Sequence, residues 1–127
     1  MSTLKQKPWW LRPFVGTYTW VTISPNIYYP SSLDPNQYPT IIEHEKIHIA
    51  QQDQMGLLKW LYKYFTSKPF RFDQEVAAFR VELLCMPLAD RQFRINEVAG
   101  WLSGSMYSRC CTFDEAVVAL SKDMLLS

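Results

Sequence analysis

Histidine occurs only twice in this 127-residue chain, and both copies fall within His44-Glu45-Lys46-Ile47-His48. Residues four apart on a helix project from the same face, so both imidazoles can reach a single ion. That spacing constrains the fold strongly. On that reading the segment is helix, its histidine face turns toward another element, and that element completes what the histidines hold. Glu45 lies beside such an ion without being forced to bind it, where it can take a proton from a metal-acidified water. A site of this kind hydrolyses amides: water attacks, the metal polarises the carbonyl, and the glutamate passes the proton to the leaving amine. The competing reading is two histidines on the flank of a surface helix, with no ion.

Two histidines leave a catalytic zinc one protein ligand short. With no third histidine in the chain and no helix cysteine nearby, a carboxylate has to supply it. Residues 72–82 read FDQEVAAFRVE, where Glu75, Ala78, Phe79 and Glu82 share one helical face. Ala78 is small enough to let this helix approach the first one closely. A carboxylate on an otherwise apolar face needs a partner, because burying it alone is costly. Glu75 is therefore the candidate third ligand. Glu82 would orient a histidine or pair with Arg80 or another cation. The alternative for Glu75 is a solvated glutamate at a helix edge.

The remaining patterning predicts a mainly helical α+β fold, with a short N-terminal β-hairpin packed on the histidine-bearing helix. Pro8, Pro13, Pro25, Pro30, Pro35 and Pro39, of the eight prolines, fall in the first third, which reads as extended and turn-rich. Thr17–Ile23 is β-branched and aromatic, Ser24-Pro25 marks a turn, and Asn26–Tyr29 can pair back as a second strand. Helices are expected at about Pro39–Met55, closed by Gly56, then Leu57–Phe65, Phe72–Met86 and Ala89–Leu102. A last helix, opened by a capping box at Thr112-Phe-Asp-Glu115, should run to about Met124. No linker or repeat divides the chain, so residues 1–127 read as a single minimal domain.

Composition removes several function classes. Thirteen basic against twelve acidic residues, a net charge of +1, create no field for nucleic acid. With 48% hydrophobic residues, 15% aromatics and four glycines, disorder is not expected. Three cysteines, an odd count, read as reduced thiols, and Cys110-Cys111 lacks the further ligands a metal site would need. Pro8, Arg12 and Pro13 interrupt any signal-peptide apolar region, and the greasy stretch Gly56–Phe65 contains two lysines and is too short to span a bilayer. The expected compartment is cytoplasmic. Lys59 and Lys63 share a helix face that would touch a membrane surface or a partner, or would simply remain in water while the apolar side packs inward; the second reading is the expected one. Trp9-Trp10 reads as a lid over the sheet or as an interaction patch.

The helix HEKIHIAQQ, followed by a helical Glu-x-x-Ala at Glu75, resembles the gluzincin metallopeptidases of the thermolysin-type clan. The TYTWVTISPNIYY hairpin resembles the edge-strand unit preceding their active-site helix. The nearest likeness is to very short, single-domain zinc-peptidase-like proteins with His-Glu-x-x-His-x-x-Gln, such as those encoded by tailed phages. The segment Trp101-Leu-Ser-Gly-Ser-Met-Tyr107 with its following capped helix is similar to their tail. The resemblance implies Zn2+ held by His44, His48 and Glu75, with Glu45 as general base, in a host cytoplasm if phage-encoded. Lys46 departs from the usual uncharged residue at that position. Many gluzincins have a histidine-steadying aspartate four residues after the ligand glutamate; here Phe79 stands there, so Asp73 or Glu82 would serve. The oxyanion helper of larger members, a histidine or tyrosine, would be Tyr107, with Arg80, Arg91 and Arg94 behind it; the other reading of Tyr107 is a packed aromatic. An exposed edge near Tyr28 and Tyr29 would pair with an extended peptide or protein substrate, unless these tyrosines cover the core.

Three readings follow: a zinc-dependent peptidase, a zinc-stabilised binding or structural protein of the same fold with little or no turnover, and a metal-free helical domain.

Overall fold

Proline and glycine punctuate the helices. A computed structural model describes residues 2–8 and 19–125; Trp9, Trp10, Thr17 and Tyr18 lie outside the described residues. Helix α1, Pro39–Met55, opens with Pro39 in its first turn and ends where Gly56 donates its N–H to the Gln52 carbonyl at 2.7 Å. Gly56 takes φ +96° and ψ +131°, a conformation that a side chain resists. Helix α2, Leu57–Thr66, starts directly after it. Nothing lies within 4 Å of where a Cβ would sit on Gly56, so the demand is conformational, not steric. Gly56→Ala is therefore expected to destabilise the chain by about 1–3 kcal/mol in denaturant unfolding. An unchanged midpoint would show that the α1–α2 corner relaxes freely.

Helix α3 runs Lys68–Leu84 and begins four residues before the expected Phe72. The Ser67 hydroxyl accepts from the Phe70 N–H at 3.3 Å, and Pro69 sits in the first turn. The segment Thr66–Pro69 is thus a start signal as well as a break. Helix α4 covers Leu88–Leu102, and α5 covers Phe113–Ser121 behind the predicted capping box, with both reciprocal Thr112–Glu115 bonds formed. Short 3-10 turns occupy Pro35–Gln37 and Ser105–Tyr107. The fold is the mainly helical α+β arrangement expected, with its small sheet at the N-terminus.

Strands β1 (Thr3–Gln6), β2 (Val21–Ile23) and β3 (Asn26–Tyr29) form a sheet in the order β1-β3-β2. The hairpin pairs Thr22 with Ile27 antiparallel, and β1 adds in parallel, Leu4 opposite Ile27. Sequence patterning does not announce β1, because its four side chains are exposed and, among the described residues, backbone bonding to β3 holds it. This corrects one expectation. Tyr28 and Tyr29 lie on the central strand, with both edges already paired, so no peptide can add beside them. The far side of β2 is also engaged: the Gln52 amide donates to the Thr22 carbonyl at 2.9 Å and accepts from the Ser24 N–H at 2.7 Å.

One apolar cluster joins α3, α4 and α5 through Phe79, Leu83, Ile95, Val98, Leu102, Leu120 and Met124. Between that cluster and the sheet lies α1, which packs on α3 and on β2. Its buried face is mostly polar: His44, Glu45, His48 and Gln52, with Ile49.

Candidate metal centre

A helix that turns two histidines and a glutamate inward has to satisfy them, since each unpaired polar atom there carries a desolvation cost. The partner is the α3 face bearing Arg71, Glu75, Ala78, Phe79 and Glu82, all buried. Ala78 is fully buried, and its small side chain permits close approach of the two helices. Glu75 Oε1 lies 2.9 Å from His48 Nε2 and 3.4 Å from His44 Nε2. Ligand atoms of these three residues all fall within 4.8 Å of one another. The outer ring nitrogen of His48, Nδ1, is 2.9 Å from Gln51 Oε1; that of His44 is buried 3.6 Å from Glu82 Oε1, beyond hydrogen-bond distance. With Gln51 holding a proton on His48 Nδ1, loss of the Nε2 proton would leave that lone pair aimed at the shared point.

Glu75 is itself held. Tyr64, from α2, donates its hydroxyl to Oε2, leaving Oε1 to face the imidazoles. The Tyr64 ring stacks on Trp60 at 4.8 Å, and Trp60 Nε1 donates to Gln74 Oε1 at 2.8 Å. Gln51 reaches across to the Gln74 carbonyl at 3.1 Å, tying the His48 support to α3.

Charges in this cluster shift each other. Burial disfavours protonated His48, but the Glu75 carboxylate outweighs it and raises the imidazole to about 9. Burial would push Glu75 up, yet His48 and His44 together hold its carboxyl well below the usual carboxylate range. Burial, reinforced by the neighbouring Glu75 carboxylate, keeps the Tyr64 phenol neutral at all ordinary pH.

Glu45 is buried and accepts from Thr22 Oγ1 at 2.5 Å. Among the described residues no lysine or arginine pairs with it. It opens with His44 into a cleft of about 300 Å³ whose wall includes Trp20, Tyr38, Phe79, Trp101 and Tyr107. Burial, with Glu75 and Glu45 nearby, raises the Tyr107 phenol well above its ordinary value, so it stays a donor.

The structure sorts the supporting candidates. Glu82 lies beside His44 and also binds Arg94 Nε at 2.6 Å through its other oxygen. Asp73 is exposed, with no hydrogen bond or ion pair to either imidazole, so the supporting role cannot be its own here. Phe79 meets the His44 ring edge-on, with centroids 4.3 Å apart. Arg94 also lies 4.8 Å from the Trp101 ring. Arg80 and Arg91, the oxyanion candidates next after Tyr107, are engaged elsewhere. Arg80 binds the Ala119 and Lys122 carbonyls, and Arg91 binds that of Met124, clasping the C-terminal segment. Sequence reasoning left Tyr64 and Thr22 without roles, and named Arg94 only as a candidate after Tyr107, not as the partner of Glu82. Gln51 carried a signal, three residues after His48 on the same helix; the others carried none.

Removing the Tyr64 hydroxyl leaves Glu75 Oε2 without its donor. Tyr64→Phe is expected to weaken metal binding about 10–100-fold, the usual effect of losing a ligand's support. Competition titration against a chromophoric chelator measures it, and an affinity equal to that of the parent would remove Tyr64 from the site.

Fold and site together define a helical α+β protein with a buried His-His-Glu cluster beside an aromatic-walled cleft. Comparison of the chain with family models, curated proteins and solved structures gives no match.

Proposed function

We propose that the chain is a zinc-dependent peptidase in which His44, His48 and Glu75 hold the ion and Glu45 is the general base. The observation that carries this reading is the convergence of two Nε2 atoms and one carboxylate oxygen at a buried point next to Glu45, which no lysine or arginine among the described residues pairs with. Ligands about 2.0–2.1 Å from a tetrahedral zinc stand about 3.3 Å apart. The two edges to Glu75, 3.4 and 2.9 Å, lie within a few tenths of an ångström of that value, and all three ligand atoms lie within 4.8 Å of one another. Two imidazoles and one carboxylate are also a donor set that suits zinc and leaves a position open.

A zinc ion held here supplies Lewis acidity, polarising a carbonyl and making water nucleophilic near neutral pH. Glu45, its carboxylate kept in place by the Thr22 hydroxyl, would accept a proton from an attacking water and pass it to a leaving amine. Tyr107, neutral on the cleft wall, donates to the oxygen on which charge develops. Trp20, Tyr38 and Trp101 exclude bulk water.

A second reading, a zinc-stabilised protein with little or no turnover, is favoured by one observation. The hairpin offers a peptide no free strand edge at Tyr28 and Tyr29, nor at Thr22 and Ser24. Metal analysis with peptide hydrolysis by parent and Glu45→Gln protein separates the readings. Zinc without hydrolysis in the parent supports the second, and no zinc removes both.

Proton competition gives a further test. In the metal-free chain the His48–Glu75 pair stabilises fully below pH 6.5, and its contribution is lost as pH rises through about 9. Glu75, held low, stabilises above the ordinary carboxylate range, and that part is lost in acid. Zinc has to displace the His48 proton, so its apparent affinity should rise with pH up to about 9 and then level. Metal-free stability and zinc affinity are thus expected to move in opposite directions above pH 6.5. Parallel denaturant unfolding and zinc titration measure this; two flat profiles would show that His48 does not carry that proton.

A further inference from the structure

Helix α2 has apolar residues on two sides, and only one of them faces the protein. Trp60 and Tyr64 pack inward against His48 and Glu75. On the opposite side Leu58, Tyr62 and Phe65 are 82%, 70% and 72% exposed. At 3.6 residues per turn these three positions form one ridge along the helix. Single exposed apolar residues are ordinary, but three in register on one helix are not. The expected packing of the apolar side inward, with lysine in water, holds for Trp60, Tyr64 and Lys59, but it leaves this second apolar side exposed.

Along the chain that carries the ridge, from Leu57 to Phe72, the charges have one sign. Between Asp53 and Asp73 the chain carries Lys59, Lys63, Lys68 and Arg71 and no acidic residue, in a protein of net charge +1. Arg71 is buried, whereas Lys59 and Lys68 are exposed and Lys63 is half-buried, its ammonium 5.1 Å from the Phe70 ring. An occupant of this face has to be apolar at its centre and anionic around it. A convex ridge of leucine, tyrosine and phenylalanine flanked by long-stemmed lysines suits the boundary between acyl chains and phosphate headgroups. An acidic protein would more commonly supply the ridge with a matching groove. No described helix is long and apolar enough to cross a membrane, so contact would be at the surface only.

We infer that the outer face of α2 docks this protein on an anionic lipid surface. Leu58, Tyr62 and Phe65 enter the interface, and Lys59, Lys63 and Lys68 approach the lipid phosphates. The inference is independent of any metal, because none of these side chains touches the His44–His48–Glu75 cluster.

Sedimentation of the full chain with phosphatidylcholine vesicles, with and without phosphatidylglycerol, tests it. Binding is expected only to the vesicles containing phosphatidylglycerol and should weaken with added salt. Lys59→Gln and Lys68→Gln should each reduce partitioning about fivefold. The triple variant Leu58→Ser, Tyr62→Ser, Phe65→Ser should reduce it at least about tenfold. These positions are exposed, so an unchanged circular-dichroism melt would confirm that the variant folds. Equal binding to both vesicle types, or undiminished binding by the triple variant, overturns the inference. So does binding to polyglutamate but not to vesicles, which would give the face to an acidic protein. A dimer that the triple variant abolishes, without vesicle binding, would give it to a second copy of the chain.

Discussion

Glu75→Gln is expected to lose zinc while keeping the fold. The change preserves the side chain's shape and its ability to meet Tyr64 and a neutral His48, but it removes the anion that two imidazole nitrogens face at 2.9 and 3.4 Å. Affinity should fall at least about a hundredfold, the upper end for losing a group that merely supports a ligand. Glu75→Ala should lose zinc too, and should also destabilise the metal-free chain by up to about 3 kcal/mol at neutral pH, because it removes the carboxylate that keeps His48 charged and paired. That penalty should shrink above pH 9, where His48 is neutral in any case. The measurements are zinc content after dialysis and urea unfolding at two pH values. Stoichiometric zinc in Glu75→Gln would sink the assignment of the third ligand, whatever the fate of Glu75→Ala.

Glu45→Gln should do the reverse: zinc retained, hydrolysis gone. The amide can still accept from Thr22 Oγ1, so the local structure survives, but it can no longer take a proton. General-base assistance is worth about 10²–10⁴ in rate, so cleavage of a peptide substrate should fall by that factor with little change in KM. Zinc content equal to that of the parent guards against a trivial cause. A variant with undiminished kcat would end the general-base role, and a parent with no measurable kcat would favour the zinc-stabilised, non-catalytic reading.

The helices were legible because their ends are written in proline, glycine and capping residues. Pro39 and Gly56 bracket α1, and Thr112 with Glu115 opens α5. Strand β1 was not legible: Thr3–Gln6 buries no side chain, so no alternation marks it, and among the described residues it is β3 that offers it a backbone edge. That same addition moved Tyr28 and Tyr29 from an expected edge to the middle of the sheet. On α2 the composition alone could not say which apolar residues face the core, because Trp60 and Tyr62 differ by two positions on a helix that is apolar most of the way round.

Local rules settle what lies within one helix. By itself the sequence determined that His44 and His48 share a face, that Glu45 stands between them, and that Glu75 and Glu82 are aligned on a later helix. Those statements need only the 3.6-residue turn. Tertiary structure decided which groups meet across elements. It set Glu75 Oε1 between the two imidazoles, brought Tyr64 from α2 onto its other oxygen, placed Thr22 on Glu45, and gave Glu82 rather than Asp73 to His44. Such contacts depend on the approach and rotation of packed helices, which the burial of Ala78 and the α3–α5 core fix collectively. No spacing along the chain encodes them.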